Sequence, residues 1–322
     1  MRAIAPPLPS LWNDLELSVE LNAPLGALTW YRSGGCAEVL ARPRTVDALA
    51  TLLSRCHEMG TEVRVLGTGA NLLVCDAGID GIVVQLNEPA FCTAQWHDAH
   101  SSSGLTRLGA GAQLMPLTAE SAREGLTGLS ALAGIPASIG GAIRMNAGGA
   151  FGEIGTLVHS IEFVSSRGEL STIPACDLNF GYRHCTLPEG IVTAAHLALT
   201  PGDPVQIRAH LKEVSAYKKN TQPMRDNSAG CMFKNPVDPT TGARVSAGRL
   251  VDLAGLKGFA LGSAYVSPVH GNFIALKDGG SADDVVALAH AVQQRVLEHS
   301  GIRLEREVVV WSMTHDVKGE LR

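Results

Sequence analysis

An α+β fold in three parts is what the sequence predicts, and three features predict it. The chain has 322 residues, beyond the size at which one hydrophobic core keeps growing. Residues 37–86 alternate strand and helix periodicity, which gives a β-α-β unit. After Pro201-Gly202-Asp203-Pro204, the strongest linker signal in the chain, long helical spacings prevail. Hydrophobic residues make up 45% of the chain, enough apolar material for more than one core.

Taken in order, residues 1–20 read as a loose N-terminal extension, with Pro6, Pro7 and Pro9 followed by Asp14, Glu16 and Glu20. Residues 37–41 are strand-like. Thr45 is placed to cap a helix over 46–59, whose apolar positions are Val46, Leu49, Leu52, Leu53 and Cys56, with Gly60 as its stop. Short apolar strands follow at 63–66 and 82–86. A polar stretch from Ala90 to Gly104 reads as a strand and a loop tip, and a helix is expected from Pro116 to about Glu124. Strands are expected at 160–165 and 191–199. Beyond the linker come helices at 205–219, 250–256 and 285–299, with strands at 272–276 and 304–311. This layout assigns residues 21–88 and 89–202 to two subdomains that share a ligand, 203–312 to an α+β domain and 313–322 to a tail.

Composition narrows the function classes. Lysine plus arginine is 26 against 31 acids, a net charge of -5. A weakly acidic chain lacks the clustered cations that phosphate backbones require, so nucleic acid is not an expected partner. No apolar run approaches the ~20 residues of a membrane span, and the N-terminus lacks a signal-peptide profile. Seven widely spaced cysteines without a C-x-x-C pattern fit reduced thiols rather than a disulfide framework or a zinc ribbon. The expectation is a cytoplasmic protein; the sequence leaves its oligomeric state open, and a monomer is compatible with it. His97-Asp98-Ala99-His100 has no third ligand in view and reads as a solvated loop rather than a metal site.

Glycine is abundant, at 35 residues, and two segments concentrate it. The first is Gly67-Thr68-Gly69-Ala70-Asn71. It is not a P-loop, which ends in Gly-Lys-Ser/Thr. It is not a Rossmann fingerprint, because Leu72 stands where a third glycine is needed and Asp76 and Gly78 break any helix. What remains is a strand-loop-strand turn whose exposed amides can form a nest for pyrophosphate, with Thr68 and Asn71 adding side-chain donors. A plain tight turn stays open as an alternative. The second segment is residues 134–149, in which Gly134, Ile135, Pro136, Ser138, Ile139, Gly140, Gly141, Asn146 and Gly148 are the candidate contacts. Small side chains over so long a run let backbone press against a flat ligand. Close helix packing explains Gly140-Gly141 but not the whole run. Two such segments suggest a dinucleotide gripped from two subdomains.

Further along stand Tyr182-Arg183, then Ser228-Ala229-Gly230-Cys231-Met232-Phe233-Lys234-Asn235-Pro236, then Leu304-Glu305-Arg306-Glu307-Val308. With Arg32 to Ala37, residues 66–73, residues 133–149 and Gly255-Leu256-Lys257-Gly258, these pieces in this order resemble the UDP-N-acetylenolpyruvoylglucosamine reductase family from about Ala23 to Trp311. The short gap from Arg183 to Cys231 resembles its compact subtype, which lacks a tyrosine-bearing loop over the substrate.

The resemblance implies a two-subdomain FAD-binding region of the PCMH/vanillyl-alcohol-oxidase-like type plus a C-terminal α+β substrate domain. It implies FAD and NADPH as cofactors and a UDP-sugar as substrate, reduced at its enolpyruvyl group in peptidoglycan precursor synthesis. By resemblance, Arg183 is the cation for the substrate carboxylate, Glu307 stabilises the developing enolate, and Cys231 is the proton donor. Tyr182, Lys234 and Asn235 are expected substrate contacts. The planar fork of arginine suits a carboxylate. Cys231 departs from the serine that many members carry; a thiol, with a pKa of ~8.5, still has a proton to give. Val309 replaces an arginine found in some relatives. Strand alternation would put Glu305 on the same face as Glu307, making it the acid most easily confused with it. The segment Ser267-Pro268-Val269-His270-Gly271-Asn272-Phe273 also resembles the family, as a folding element or substrate wall. Another FAD-dependent oxidoreductase and a non-catalytic flavin-binding paralogue are the competing readings.

Overall fold

Thr45 begins the helix that the apolar spacing predicts. Its hydroxyl accepts the Ala48 N–H at 3.1 Å and the helix runs over Val46–Met59 to Gly60. A capped start relieves one of the orphan donors of the first turn. Leu49, Leu52, Leu53 and Cys56 form its buried face. The computed structural model describes residues 11–97, 104–223 and 226–313, and the chain divides into two units that are each discontinuous in sequence.

The first unit comprises the chain up to Leu21, Val39–Thr68 and Gly81–Ser215. Its smaller sheet orders the strands Leu17–Pro24, Cys36–Pro43, Ile79–Gln85 and Val63–Leu66. The last two are parallel, Val63 opposite Ile82, and the chain between them runs through the glycine loop and the strand Leu72–Val74, the crossover that a parallel pair needs. Its larger sheet has five strands, in the order Leu170–Pro174, Val158–Ser165, Gly190–Leu197, Thr106–Gly109 and Ala94–Gln95, all antiparallel. One core, including Leu52, Ile82, Leu108, Leu132, Ile143 and Ile161, serves both sheets.

The second unit comprises Asn22–Glu38, Gly69–Asp80 and Ala216–Arg322. Ser281 caps the helix Ala282–Ser300, whose buried stripe is Val285, Leu288, Ala289, Val292 and Val296. This stripe packs with the strands Ala260–Leu261, Ala264–Val266 and Ile274–Leu276. Tyr31 is buried in the same core and donates its hydroxyl to the Ile274 carbonyl at 3.0 Å. Burial pushes its phenol well above the ordinary range. Among the described residues no helix is long and apolar enough to cross a membrane.

Several expected elements differ. Residues 17–24 form a strand rather than a loose extension, and Leu11 and Trp12 are buried; residues 1–10 lie outside the described residues. Apolar Leu17 and Val19 alternate against the first core, a period-two signal masked by the flanking acids Glu16 and Glu20. The expected helix at Pro116 starts earlier, at Leu114, because the first turn needs no N–H donor and tolerates proline inside it. The expected helix at 250–256 is Ala247–Leu253, capped by Ser246. The expected strand at 304–311 is regular only over Val309–Trp311, which pairs in parallel with Leu72–Val74. The linker residues are ordered: Thr200–Pro201 pairs with Leu126–Thr127, and the helix Pro204–Thr221 follows. Of the expected tail, residues 314–322 lie outside the described residues.

Candidate active site

The chain leaves the strand Val63–Leu66 and enters the first glycine loop. Gly67 and Thr68 belong to the first unit, and Gly69, Ala70 and Asn71 to the second. Gly69 takes φ +67°, and a Cβ there would stand 2.1 Å from the Leu28 carbonyl oxygen. No L side chain fits that approach. Among the described residues, no protein acceptor takes up the N–H groups of Gly67, Thr68, Gly69, Ala70 or Asn71. Successive free amides are what an anion nest requires. The side chains behave otherwise than expected. The Thr68 hydroxyl donates to the Pro136 carbonyl at 2.5 Å, and Asn71 Nδ2 donates to the Glu307 carbonyl at 3.2 Å. Those donors fix the loop.

Within the first unit the two glycine segments touch. Besides the Thr68–Pro136 bond, a Cβ on Gly67 would come 2.7 Å from Ser138 Oγ. Ser138 in turn caps the short helix Ile139–Arg144 by accepting the Gly141 N–H at 3.3 Å. Gly134, Ile135, Pro136 and Gly140 are half-buried and Gly141 is exposed, so a strip of nearly bare backbone remains open. Its amides are not free, however. Ile139 and Gly140 donate to the Ala112 and Ala110 carbonyls, and Gly141 to Ser138. The second segment therefore offers a surface for close approach more than a set of donors.

Asn146 is fully buried and takes φ 41°, a positive value in a residue other than glycine. Its Nδ2 donates to the Gly181 carbonyl at 3.0 Å, and its Oδ1 accepts the Gly155 N–H at 2.9 Å. Both ends of the side chain, expected to meet the cofactor, are committed inside the protein. Gly148 pairs with Glu153 across a two-residue ladder.

Tyr182 and Arg183 form the two-residue turn of a hairpin between Asn179–Gly181 and His184–Thr186. Arg183 takes φ 57°, a conformation that costs an L residue roughly 1–2 kcal/mol. Its guanidinium stands 5.2 Å from the centre of the Tyr182 ring, within cation–π range. Strain held at a solvent-reaching arginine is a mark of functional sites.

In the second unit, the backbone brings Cys231 and Glu307 onto neighbouring segments. Phe233 and Arg306 form an isolated antiparallel bridge. The Glu307 N–H donates to the Met232 carbonyl at 2.8 Å, and the Lys234 N–H to the Glu305 carbonyl at 2.9 Å. Cys231 and Glu307 are each half-buried. Glu305 separates itself from Glu307 by exposure: its side chain is 61% exposed and pairs with the Lys234 ammonium. The expected shared face is absent because 304–308 is not regular strand. Asn235 caps the helix Ala247–Leu253 from a distance, its Oδ1 accepting the Ala247 N–H at 2.9 Å, while its carbonyl accepts from Arg244. Val309 is exposed, and its N–H donates to the Asn71 carbonyl at 3.1 Å. His97 contacts Thr106 Oγ1 through its Nδ1 at 3.1 Å; Asp98 to His100 lie outside the described residues. Sequence reasoning missed the internal roles of Thr68, Asn71 and Asn146, because each depends on a carbonyl distant in the chain.

Comparison with known proteins gives the following. A family model described as the C-terminal domain of UDP-N-acetylenolpyruvoylglucosamine reductase matches residues 222–311. A model described as an FAD binding domain matches residues 37–173. The UDP-N-acetylenolpyruvoylglucosamine reductase of Myxococcus xanthus is 40% identical over 291 residues, covering 90% of this chain and 91% of its own. That of Erythrobacter litoralis is 37% identical over 308 residues, covering 95% and 91%. The crystal structure of the Thermus caldophilus enzyme superposes with a TM-score of 0.76 at 38% identity, over 92% of this chain and 99% of its own.

Proposed function

The chain belongs to the UDP-N-acetylenolpyruvoylglucosamine reductase family, and from that membership we propose how its residues perform the family's reaction. The activity is FAD-dependent reduction of the enolpyruvyl group of UDP-N-acetylglucosamine-enolpyruvate to UDP-N-acetylmuramate, with NADPH as reductant. One observation carries the assignment of residues. A thiol and a carboxyl group sit on two backbone segments cross-bonded at Met232 and Glu307, and the family's proton donor and enolate-stabilising acid fall at those two positions.

The residues present fit FAD. The uncommitted amides of Gly67, Thr68, Gly69, Ala70 and Asn71 suit its pyrophosphate, and the half-buried backbone of Gly134, Ile135, Pro136 and Gly140 with exposed Gly141 suits a flat ring system. When bound, FAD supplies hydride chemistry that no side chain can. The protein does the rest. Arg183 holds the substrate carboxylate in its planar fork, and Tyr182 backs that guanidinium. Cys231 holds the proton destined for the α-carbon. Glu307, in its protonated form, donates a hydrogen bond to the negative charge that spreads toward the carboxylate, a task that needs a preorganised donor at the developing charge. Lys234 and Asn235 are proposed substrate contacts on the family resemblance alone; here the Lys234 ammonium pairs with Glu305 and Asn235 Oδ1 accepts the Ala247 N–H. We place the protein in the cytoplasm, with a nucleotide-sugar partner and no nucleic acid; the net charge of -5 and the widely spaced cysteines without a C-x-x-C pattern support that placement.

Anaerobic flavin spectroscopy tests the reading. NADPH should bleach the yellow protein, and the enolpyruvyl sugar nucleotide should restore the colour without oxygen. Bleaching without substrate-driven recovery would mean a different oxidoreductase. A protein inert to NADPH would mean a flavin-binding paralogue.

A further inference from the structure

We infer that Asn272 is a positioning residue that fixes the backbone carrying Cys231 and, through Met232, the backbone carrying Glu307. The inference rests on the roles proposed above for those two residues. Asn272 is 2% exposed and belongs to the segment 267–273, which otherwise has no assigned task. Its side-chain amide lies along Phe233 as another strand would. Oδ1 accepts the Phe233 N–H at 2.9 Å, and Nδ2 donates to the Phe233 carbonyl at 2.8 Å. Its own carbonyl accepts the Met232 N–H at 2.7 Å. One residue thus takes up three of the four backbone N–H and C=O groups of Met232 and Phe233, directly after Cys231. On the other side of the same segment, the Met232 carbonyl accepts the Glu307 N–H at 2.8 Å. A shift of Asn272 therefore moves the thiol and the acid together.

Upstream, Asn227 bridges Leu276 and its Nδ2 donates to Asp278 Oδ1 at 2.8 Å; Gly230, at φ +80°, lies between that anchor and Cys231, and Asn272 fixes the chain on the far side. Asn272 itself is held firmly. Its N–H donates to His270 Nδ1 at 3.1 Å. The His270 ring packs edge-on against Phe273 with centroids 4.9 Å apart. The Ser267 N–H closes the turn on the Phe273 carbonyl at 2.8 Å. Burial lowers the His270 pKa, which favours the neutral ring that this acceptor role needs. A side chain that only filled space would not need both polar ends and the main-chain carbonyl aimed at two adjacent residues.

The test is Asn272→Asp in the FAD-loaded protein. It keeps an acceptor for the Phe233 N–H but sets a carboxylate against the Phe233 carbonyl. Flavin reduction by NADPH should stay within about twofold of wild type. The limiting rate of anaerobic reoxidation at saturating substrate should fall by about 10- to 100-fold, the scale of a misplaced reacting group, with substrate affinity nearly unchanged. Adding Asn272→Asp to Cys231→Ala should cost less than the product of the two single losses, since one of the two positioned groups is already gone. Independently of turnover, iodoacetamide labelling of Cys231 should change severalfold relative to exposed Cys36 in the same sample, read by peptide mass spectrometry. Unchanged Cys231 labelling overturns the inference, as does a double variant whose loss is the product of the two single losses. Full reoxidation by Cys231→Ala alone would sink the donor assignment instead, and the labelling experiment would still judge Asn272. If Asn272→Asp does not fold, Asn272→Ser, too short to reach both Phe233 groups, is read by the same measurements.

Discussion

Replacing Asn146 by alanine removes two hydrogen bonds and leaves a methyl group in a left-handed backbone. The bonded partners, the Gly155 N–H and the Gly181 carbonyl, are half-buried. Water can reach them in part, so each bond counts at its net value of about 0.5–1.5 kcal/mol rather than at the full cost of an orphaned buried group. The backbone adds roughly 1 kcal/mol, because φ 41° suits asparagine better than alanine. The sum is about 2–4 kcal/mol. For a folding unit of this size that corresponds to a fall in melting temperature of roughly 6–12 °C. Asn146→Gly removes the same two bonds without the methyl clash, so it should lie closer to wild type by the backbone share, about 1 kcal/mol. Differential scanning calorimetry on the two variants separates the contributions. Since Gly181 is the last strand residue before the Tyr182-Arg183 turn, both variants should also slow substrate-driven flavin reoxidation more than flavin reduction by NADPH. An alanine variant melting within a degree of wild type, or matching the glycine variant, would refute this partition.

Three further outcomes are expected. Cys231→Ser should remain active, whereas Cys231→Ala should lose reoxidation by substrate and keep reduction by NADPH, seen by stopped-flow absorbance. Gly69→Ala should lower retention of FAD on gel filtration, since its Cβ would stand 2.1 Å from the Leu28 carbonyl oxygen in a left-handed backbone. The third concerns Glu162, whose carboxyl is held below its ordinary range, first by the bidentate hydrogen bonds from Arg107 and further by His196. A carboxyl lowered in the folded state contributes stability above its unfolded pKa of about 4.3. That contribution disappears as pH falls through the folded value. Glu162→Gln should therefore melt lower than wild type near neutrality and converge with it in acid, measured by melting temperature across that range.

What could be read in the sequence was whatever depends on neighbours in the chain. Thr45 and Gly60 bound a helix through contacts within a few residues, and Gly67 to Asn71 form a turn between two strands because each glycine sits where the chain must bend. The order of the glycine segments and the Tyr182-Arg183, Cys231 and Glu307 pieces was legible as a family resemblance. The side-chain commitments were not, because each is decided by a partner that only the fold supplies. Thr68 looks like a ligand donor until Pro136 is beside it. Asn146 looks like part of a cofactor surface until Gly181, 35 positions away, takes its amide. Glu305 looks interchangeable with Glu307 until Lys234 claims it. These cases share a physical cause. A polar side chain in a glycine-rich or catalytic segment competes for two kinds of partner, the ligand and the carbonyls that tight turns leave unpaired. Where the turn carbonyl wins, the side chain builds the site instead of touching the substrate. The donors left for ligand are then main-chain amides, which explains why the first loop needs its amides free while its side chains are spent.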